Sequence, residues 1–172
     1  MSVDPRKLRI VLYPDPVLRA KAAQVPRIDD ELRCVIARMT ELMHQADGVG
    51  LAAPQVGLSL RLFVANATGD AADDRVFINP VLLAPSQEIE AASEGCLSIP
   101  EVRGEVRRPR AITIEACDER GEKFTLTSDA LPARIWQHEV DHLDGVLILD
   151  RMSPLDKLAN RRRIKQLEDA VG

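Results

Sequence analysis

The chain has 172 residues, 45% of them hydrophobic, with 23 Lys and Arg against 27 Asp and Glu and a formal net charge of −4. That length and mixed composition predict one compact domain over residues 1–172, and the mild acidic excess argues against a surface built to wrap nucleic acid or to recognise its sequence. The opening MSVDPRKLRIVLYPDP lacks the apolar centre of a signal peptide and no apolar run is long enough to span a bilayer, so a cytoplasmic protein with no membrane partner is expected; the three scattered cysteines, Cys34, Cys96 and Cys117, make no disulfide framework.

Residues 8–19, LRIVLYPDPVLR, predict a short strand broken where Pro14 and Pro16 forbid a ladder. Leu32, Val35, Ile36, Met39, Leu42 and Met43 recur at three-and-four spacing, one face of a long helix with Asp29 or Asp30 as its cap; Cys34 beside that face reads as a small buried or half-buried residue. Then comes DGVGLAAPQVG over 47–57, small residues that serve either as a turn or as backbone a ligand approaches closely. A dinucleotide fingerprint is rejected there, since that motif follows a strand and this one follows a helix.

Strands are expected at 60–65, at 75–79 with Pro80 as the stop, and within 86–91, with a polar loop over 66–74. In Glu94-Gly95-Cys96-Leu97-Ser98-Ile99-Pro100 a cysteine sits between glycine and a polar, proline-ended turn, unlike a core cysteine. Residues 111–117 alternate Ile112, Ile114 and Ala116 against Thr113, Glu115 and Cys117 and turn into 123–127, a hairpin in which Cys117 is structural. A helix follows over residues 131–143, with Ser128 or Asp129 as cap, Pro132 in its first turn and Gly145 as its stop. Residues 146–149 read as a last strand and 154–170 as a closing helix, apolar at Leu155, Leu158, Ile164 and Leu167 and basic at Arg161, Arg162, Arg163 and Lys165.

The chemistry centres on WQHEVDHLDG. His138 and His142, two of only three histidines, are four apart on one helical face, so their ring nitrogens can converge on one ion, while Glu139 sits beside it, placed to take a proton from water there. Leu131, Ile135, His138 and His142 share one stripe, which points the pair inward, and Trp136 reads as core or pocket wall. A catalytic site of this type needs a third protein ligand. The H-E-x-x-H-x-x-G-x-x-H pattern of one protease group holds through Gly145 and then meets Ile148; Glu168, near the end of the basic helix beyond Pro154, is a poor donor. Cys96 remains as the best candidate, a Cys-His-His set.

Three segments together, Gly48-Val49-Gly50-Leu51-Ala52-Ala53-Pro54-Gln55, Glu94-Gly95-Cys96-Leu97-Ser98 and Gln137-His138-Glu139-Val140-Asp141-His142-Leu143-Asp144-Gly145, resemble the motifs of bacterial peptide deformylase in the family's order. The resemblance spans essentially the whole chain. It implies an α+β fold with antiparallel or mixed sheets packed around the metal-bearing helix, an N-terminal long helix and a C-terminal helix. It also implies removal of the N-formyl group from formyl-methionyl nascent peptides. Fe²⁺ would be the usual ion, one per chain, with Zn²⁺, Ni²⁺ or Co²⁺ as substitutes. Carried over, Cys96, His138 and His142 hold the ion, Glu139 is general base and then acid, and the Gln55 amide with the Leu97 backbone N–H stabilises the oxyanion. Gly48, Val49 and Gly50 would bind the substrate as an added strand, Val49, Leu131, Arg134, Ile135 and the His138 ring would line the methionine pocket, and Arg103 would meet the peptide beyond it. The closing helix would contact the ribosome. Asp129-Ala130 departs from the family's acidic residue and glycine and puts the helix entry in question. A catalytically silent metal-binding, ribosome-associated protein is the alternative; it would not require Glu139 or Gln55.

Overall fold

Leu62, Phe63, Val64 and Ala65 are apolar at every position, which suits a strand covered on both faces. The computed structural model, which describes residues 3–171, buries all four as strand β2 (Leu62–Ala65). Around it run α1 (Asp30–Gln45), β1 (Gly50–Ala52), β3 (Arg75–Leu83), β4 (Ile89–Cys96), β5 (Ile99–Pro109), β6 (Ile112–Cys117), β7 (Lys123–Ser128), α2 (Leu131–Leu143), α3 (Ile148–Arg151) and α4 (Pro154–Asp169). One antiparallel sheet has the order β1-β2-β3-β6-β7, and β4 and β5 form a separate antiparallel hairpin, giving the α+β architecture expected.

Alternation along β2 and β3 divides the core. Leu62, Val64 and Ile78 face α1, whose buried stripe is the one predicted, and α1 begins where the Asp29 carboxylate accepts the Leu32 N–H at 2.9 Å. Phe63 and Phe77 face the other way and meet α2 through Trp136, Val140 and Leu143. Phe63 and Phe77 stack at 4.5 Å between centroids, and Phe77 lies 6.0 Å from Trp136. A third cluster, with Ile99, Val102, Val106, Leu147, Met152 and Leu167, joins the β4–β5 hairpin to α3 and α4. Helix α2, which carries His138 and His142, is thus packed against the large sheet, beside the small one.

Several expectations are corrected. Residues 8–12 form no strand: Val11 N–H donates to Gln55 O and Tyr13 N–H to Ser98 O, single bonds to two separate segments rather than a ladder. Strand β3 does not stop at Pro80. A register shift between Ile78 and Val81 absorbs the missing donor, with Asn79 at φ 51° and its side chain bonded to Val25 N–H and C=O at 2.8 and 3.0 Å. Strand β4 starts at Ile89, within the 86–91 window, but extends beyond it to Cys96. Strand β5 was not foreseen, because its run of Pro, Gly and charge hides an alternation in which Val102, Gly104, Val106 and Arg108 are buried. Residues 146–149 are not a strand; Ile148 opens the single turn α3, where Asp150 accepts the Leu147 N–H at 2.9 Å. Helix α2 is capped neither by Ser128 nor by Asp129: its cap position is Ala130, in extended backbone at φ −121° that needs no glycine. Cys34 is exposed, as are Leu155 and Leu158 on α4.

Candidate metal centre

Helix α2 brings His138 and His142 into line, with ring centroids 5.1 Å apart, and the end of β4 brings Cys96 beneath them. Their donor atoms all lie within 4.8 Å of one another, and Cys96 Sγ is 3.4 Å from His142 Nε2. Zinc-type bonds of about 2.3 Å to sulfur and 2.0–2.1 Å to nitrogen at a tetrahedral angle would set sulfur and nitrogen about 3.5 Å apart, so the geometry fits one shared ion. A thiolate and two imidazoles suit a divalent transition metal rather than calcium or magnesium. Burial opposes charge on the His138 ring, yet its hydrogen bonds to Cys96 and Glu94 push its pKa up to about 10. Burial pushes His142 the other way, well below the usual range, and keeps its lone pair available as a donor.

The charged groups behind His138 were largely missed by sequence reasoning. Glu94 Oε1 lies 2.9 Å from His138 Nδ1, leaving Nε2 as the nitrogen free to ligate an ion. The Glu94 carboxylate accepts the Arg108 fork at 2.7 and 2.9 Å and Arg134 Nη1 at 2.6 Å. Burial would raise the Glu94 pKa, but the bonds from Arg108 and His138 overcome it and hold the group anionic, well below the ordinary carboxylate range. Arg108 also donates to Asp141 at 2.8 Å, and Arg151 donates to Asp141 at 2.8 and 2.6 Å. The only sequence signals were Glu94 and Asp141 inside the motifs and the place of Arg108 in an alternation that was not seen.

Glu139 is buried, its Oε2 has no hydrogen-bond partner among the described residues, and burial pushes its pKa up to about 7. It lies against β1, where a Cβ on Gly50 would stand 2.5 Å from Oε1, so only glycine leaves room. Likewise a Cβ on Gly48 would meet Leu97 Cδ1 at 2.7 Å. Gln55 is buried with its orientation fixed: Oε1 accepts the Ala52 N–H at 2.9 Å, and Nε2 points to Ser98 Oγ at 3.2 Å and Cys96 Sγ at 3.6 Å.

A cleft of about 590 Å³ opens in front of these groups, with Val49, Gly50, Leu97, Leu131, Ile135 and His138 among its walls. Val49 and Leu131 are exposed at its rim and Ile135 is buried. Arg134 also borders the cleft, but its guanidinium is engaged by Glu94, Val106 O and Glu90 O. Arg103 borders it with Nη2 and Nε 3.4 Å from the Ser93 carbonyl and hydroxyl. Every predicted site residue therefore lies at this cleft or its metal centre.

The family model of polypeptide deformylase matches residues 7–158. A peptide deformylase from Thermotoga sp. is 44% identical over 164 residues, covering 95% of this chain and 98% of that protein. Peptide deformylase 1B of Arabidopsis thaliana, chloroplastic/mitochondrial, is 42% identical over 94% of this chain, which spans only 60% of that relative. The crystal structure of a plant peptide deformylase superposes with a TM-score of 0.94 at 40% identity, covering 99% of this chain and 94% of that one. With a Cys-His-His cluster, a buried glutamate and a cleft in the same place as the three motifs, the chain belongs to the polypeptide deformylase family of metallohydrolases.

Proposed function

We propose that this chain removes the N-formyl group from the formyl-methionine that begins newly made polypeptides, with Fe²⁺ held by Cys96, His138 and His142 and Zn²⁺, Ni²⁺ or Co²⁺ able to replace it. The single observation that carries the reading is Glu139, buried and unpaired at Oε2 beside the three donors. The ion, when bound, supplies Lewis acidity that makes water a nucleophile near neutral pH. Glu139, with its pKa pushed up to about 7, takes the proton from the attacking water and returns it to the leaving amine. The formyl oxygen, as it becomes anionic, is received by Gln55 Nε2 and the Leu97 N–H, donors whose loss typically raises a barrier by about 3 kcal/mol. Backbone of Gly48, Val49 and Gly50 holds the peptide as an added strand, the methionine side chain enters beside Leu131 and Ile135, and Arg103 meets the chain beyond it.

Contact with the ribosome through α4 belongs to the same reading: it is supported by the basic run Arg161, Arg162, Arg163 and Lys165 and by exposed Leu155 and Leu158. No helix among the described residues is long and apolar enough to cross a membrane, and we place the reaction in the cytoplasm. A catalytically silent metal binder is disfavoured, because holding an ion needs neither Glu139 nor the glycine that makes room for it. The test is formate release from a formyl-methionyl peptide by the iron-loaded protein kept from oxygen, with an unformylated peptide as control. Full metal occupancy without turnover would sink the proposal.

A further inference from the structure

Behind His138 a line of alternating charges runs outward from the metal centre to the surface. Glu94 fixes the ring, Arg108 fixes Glu94, Asp141 takes the remaining Arg108 nitrogen, and Arg151 closes on Asp141. None of Arg108, Asp141 or Arg151 borders the substrate cleft. We infer that Arg151 and Asp141 are positioning residues of the metal centre, which act through Arg108 and Glu94 to hold the His138 ring so that Nε2 faces the ion. The inference rests on the reading that Cys96, His138 and His142 bind a metal.

The argument is a competition for one guanidinium. Arg108 is 3% exposed and stands between two buried carboxylates, giving Nε and Nη2 to Glu94 and Nη1 to Asp141. A planar fork seated on both oxygens of Glu94 sets the plane of that carboxylate, and the plane sets the ring. Asp141 is 9% exposed and would draw Arg108 toward itself if its charge had no other partner. Arg151 supplies that partner, with Nε on Oδ2 and Nη2 on Oδ1, and so leaves Arg108 to Glu94. Asp141 lies between the two histidines in sequence, so its own seat also fixes the rotation of α2 about its axis at the ligands. Arg151 ends α3, immediately ahead of α4, so the line reaches the ion from the root of the closing helix.

Arg151 is the informative position, because its side chain is 44% exposed and Asp141 keeps a second partner in Arg108 when it is removed, and the thermal midpoint reports any loss of folding separately. The experiment loads the full chain with Co²⁺ and measures three things: the visible bands of the bound ion, the rate of Co²⁺ transfer to a chelator, and the thermal midpoint. Arg151→Ala should shift the bands and release Co²⁺ about tenfold faster, the lower end of what loss of an outer partner costs a metal site. It should also lower kcat with KM unchanged. Arg151→Lys should fall between, since an ammonium gives one point contact where the fork gives two. Arg110→Ala, which removes a comparably exposed arginine from its pair with the exposed Glu88, should behave as the unaltered protein. Bands unshifted and release within about twofold of the unaltered protein in Arg151→Ala, or equal effects of Arg110→Ala, would overturn the inference while leaving the metal reading intact. An unaltered protein that takes up no Co²⁺ would instead overturn the metal reading, and the inference with it.

Discussion

Gly50 and Glu139 are in contact across the interface of β1 and α2: a Cβ on the glycine would lie 2.5 Å from Oε1 and 2.9 Å from the two carbons behind it. Gly50→Ala must therefore push the Glu139 carboxylate aside. A displacement on the order of 1 Å at a catalytic group costs about 10²-fold in rate, so kcat should fall by that order while the proposed metal donors, none of which is among the three atoms nearest that Cβ, should keep their ion. Formate release and metal content measured on one preparation check both halves.

Glu139 and Cys96 should separate chemistry from ligation. Glu139→Ala removes the proton carrier and should cost about 10²- to 10⁴-fold in turnover with metal content unchanged. Cys96→Ala removes the thiolate, the donor 3.4 Å from His142 Nε2, and should lose ion and turnover together. Retention of metal by the cysteine variant at full occupancy would remove Cys96 from the ligand set.

Glu94→Ala should do damage of two kinds. The His138 ring loses its anchor, weakening metal affinity about 10- to 100-fold. Arg108 is left with Asp141 alone in a buried site, and breaking a buried pair on one side typically costs about 3–5 kcal/mol. Denaturant unfolding of the metal-free protein isolates the second effect, and competition with a chelator the first.

Phe77 stacks on Phe63 and reaches Trp136, tying the large sheet to the metal helix. Phe77→Ala should lower the stability measured by urea unfolding by about 3–5 kcal/mol, since the residue is fully buried. A loss under 1 kcal/mol would mean that α2 is seated by other contacts.

Ser153 caps α4: its hydroxyl accepts the Asp156 N–H at 3.1 Å and donates to the Asp156 carboxylate at 2.9 Å, and the same carboxylate accepts the Glu105 N–H of β5. Ser153→Ala should cost about 1 kcal/mol and speed amide exchange in the first turns of α4. Exchange in α2 should not change.

The long helices were legible because their signals are local. Leu131–Leu143 was bounded by Pro132 and Gly145, and the α1 stripe is one uninterrupted periodicity. The His138–His142 pair was legible for the same reason, as an i, i+4 spacing. Strand β5 was not, because its buried positions include Gly104 and Arg108, residues that signal turn and surface. Gly104 is there because a Cβ would press on Met152 at 3.0 Å, and Arg108 because two carboxylates from other elements await it. Both reasons are tertiary, and no window of sequence contains them. The same holds for Pro80, which a bulge at Asn79 accommodates inside β3.

The proposed ligand set joins partners of very different separation in the chain. The two histidines come together as soon as one helix forms, whereas Cys96 reaches His142 across 46 residues and only when the β4–β5 hairpin has docked on α2. An unfolded chain thus offers at most a two-point grip, and tight capture reports the assembled state. By mass action an ion at 100 times its dissociation constant adds about 2.7 kcal/mol to that assembled state. With the proposed ligand set, metal supply during synthesis would then bear on how much of the chain stays folded as well as on how much of it is active.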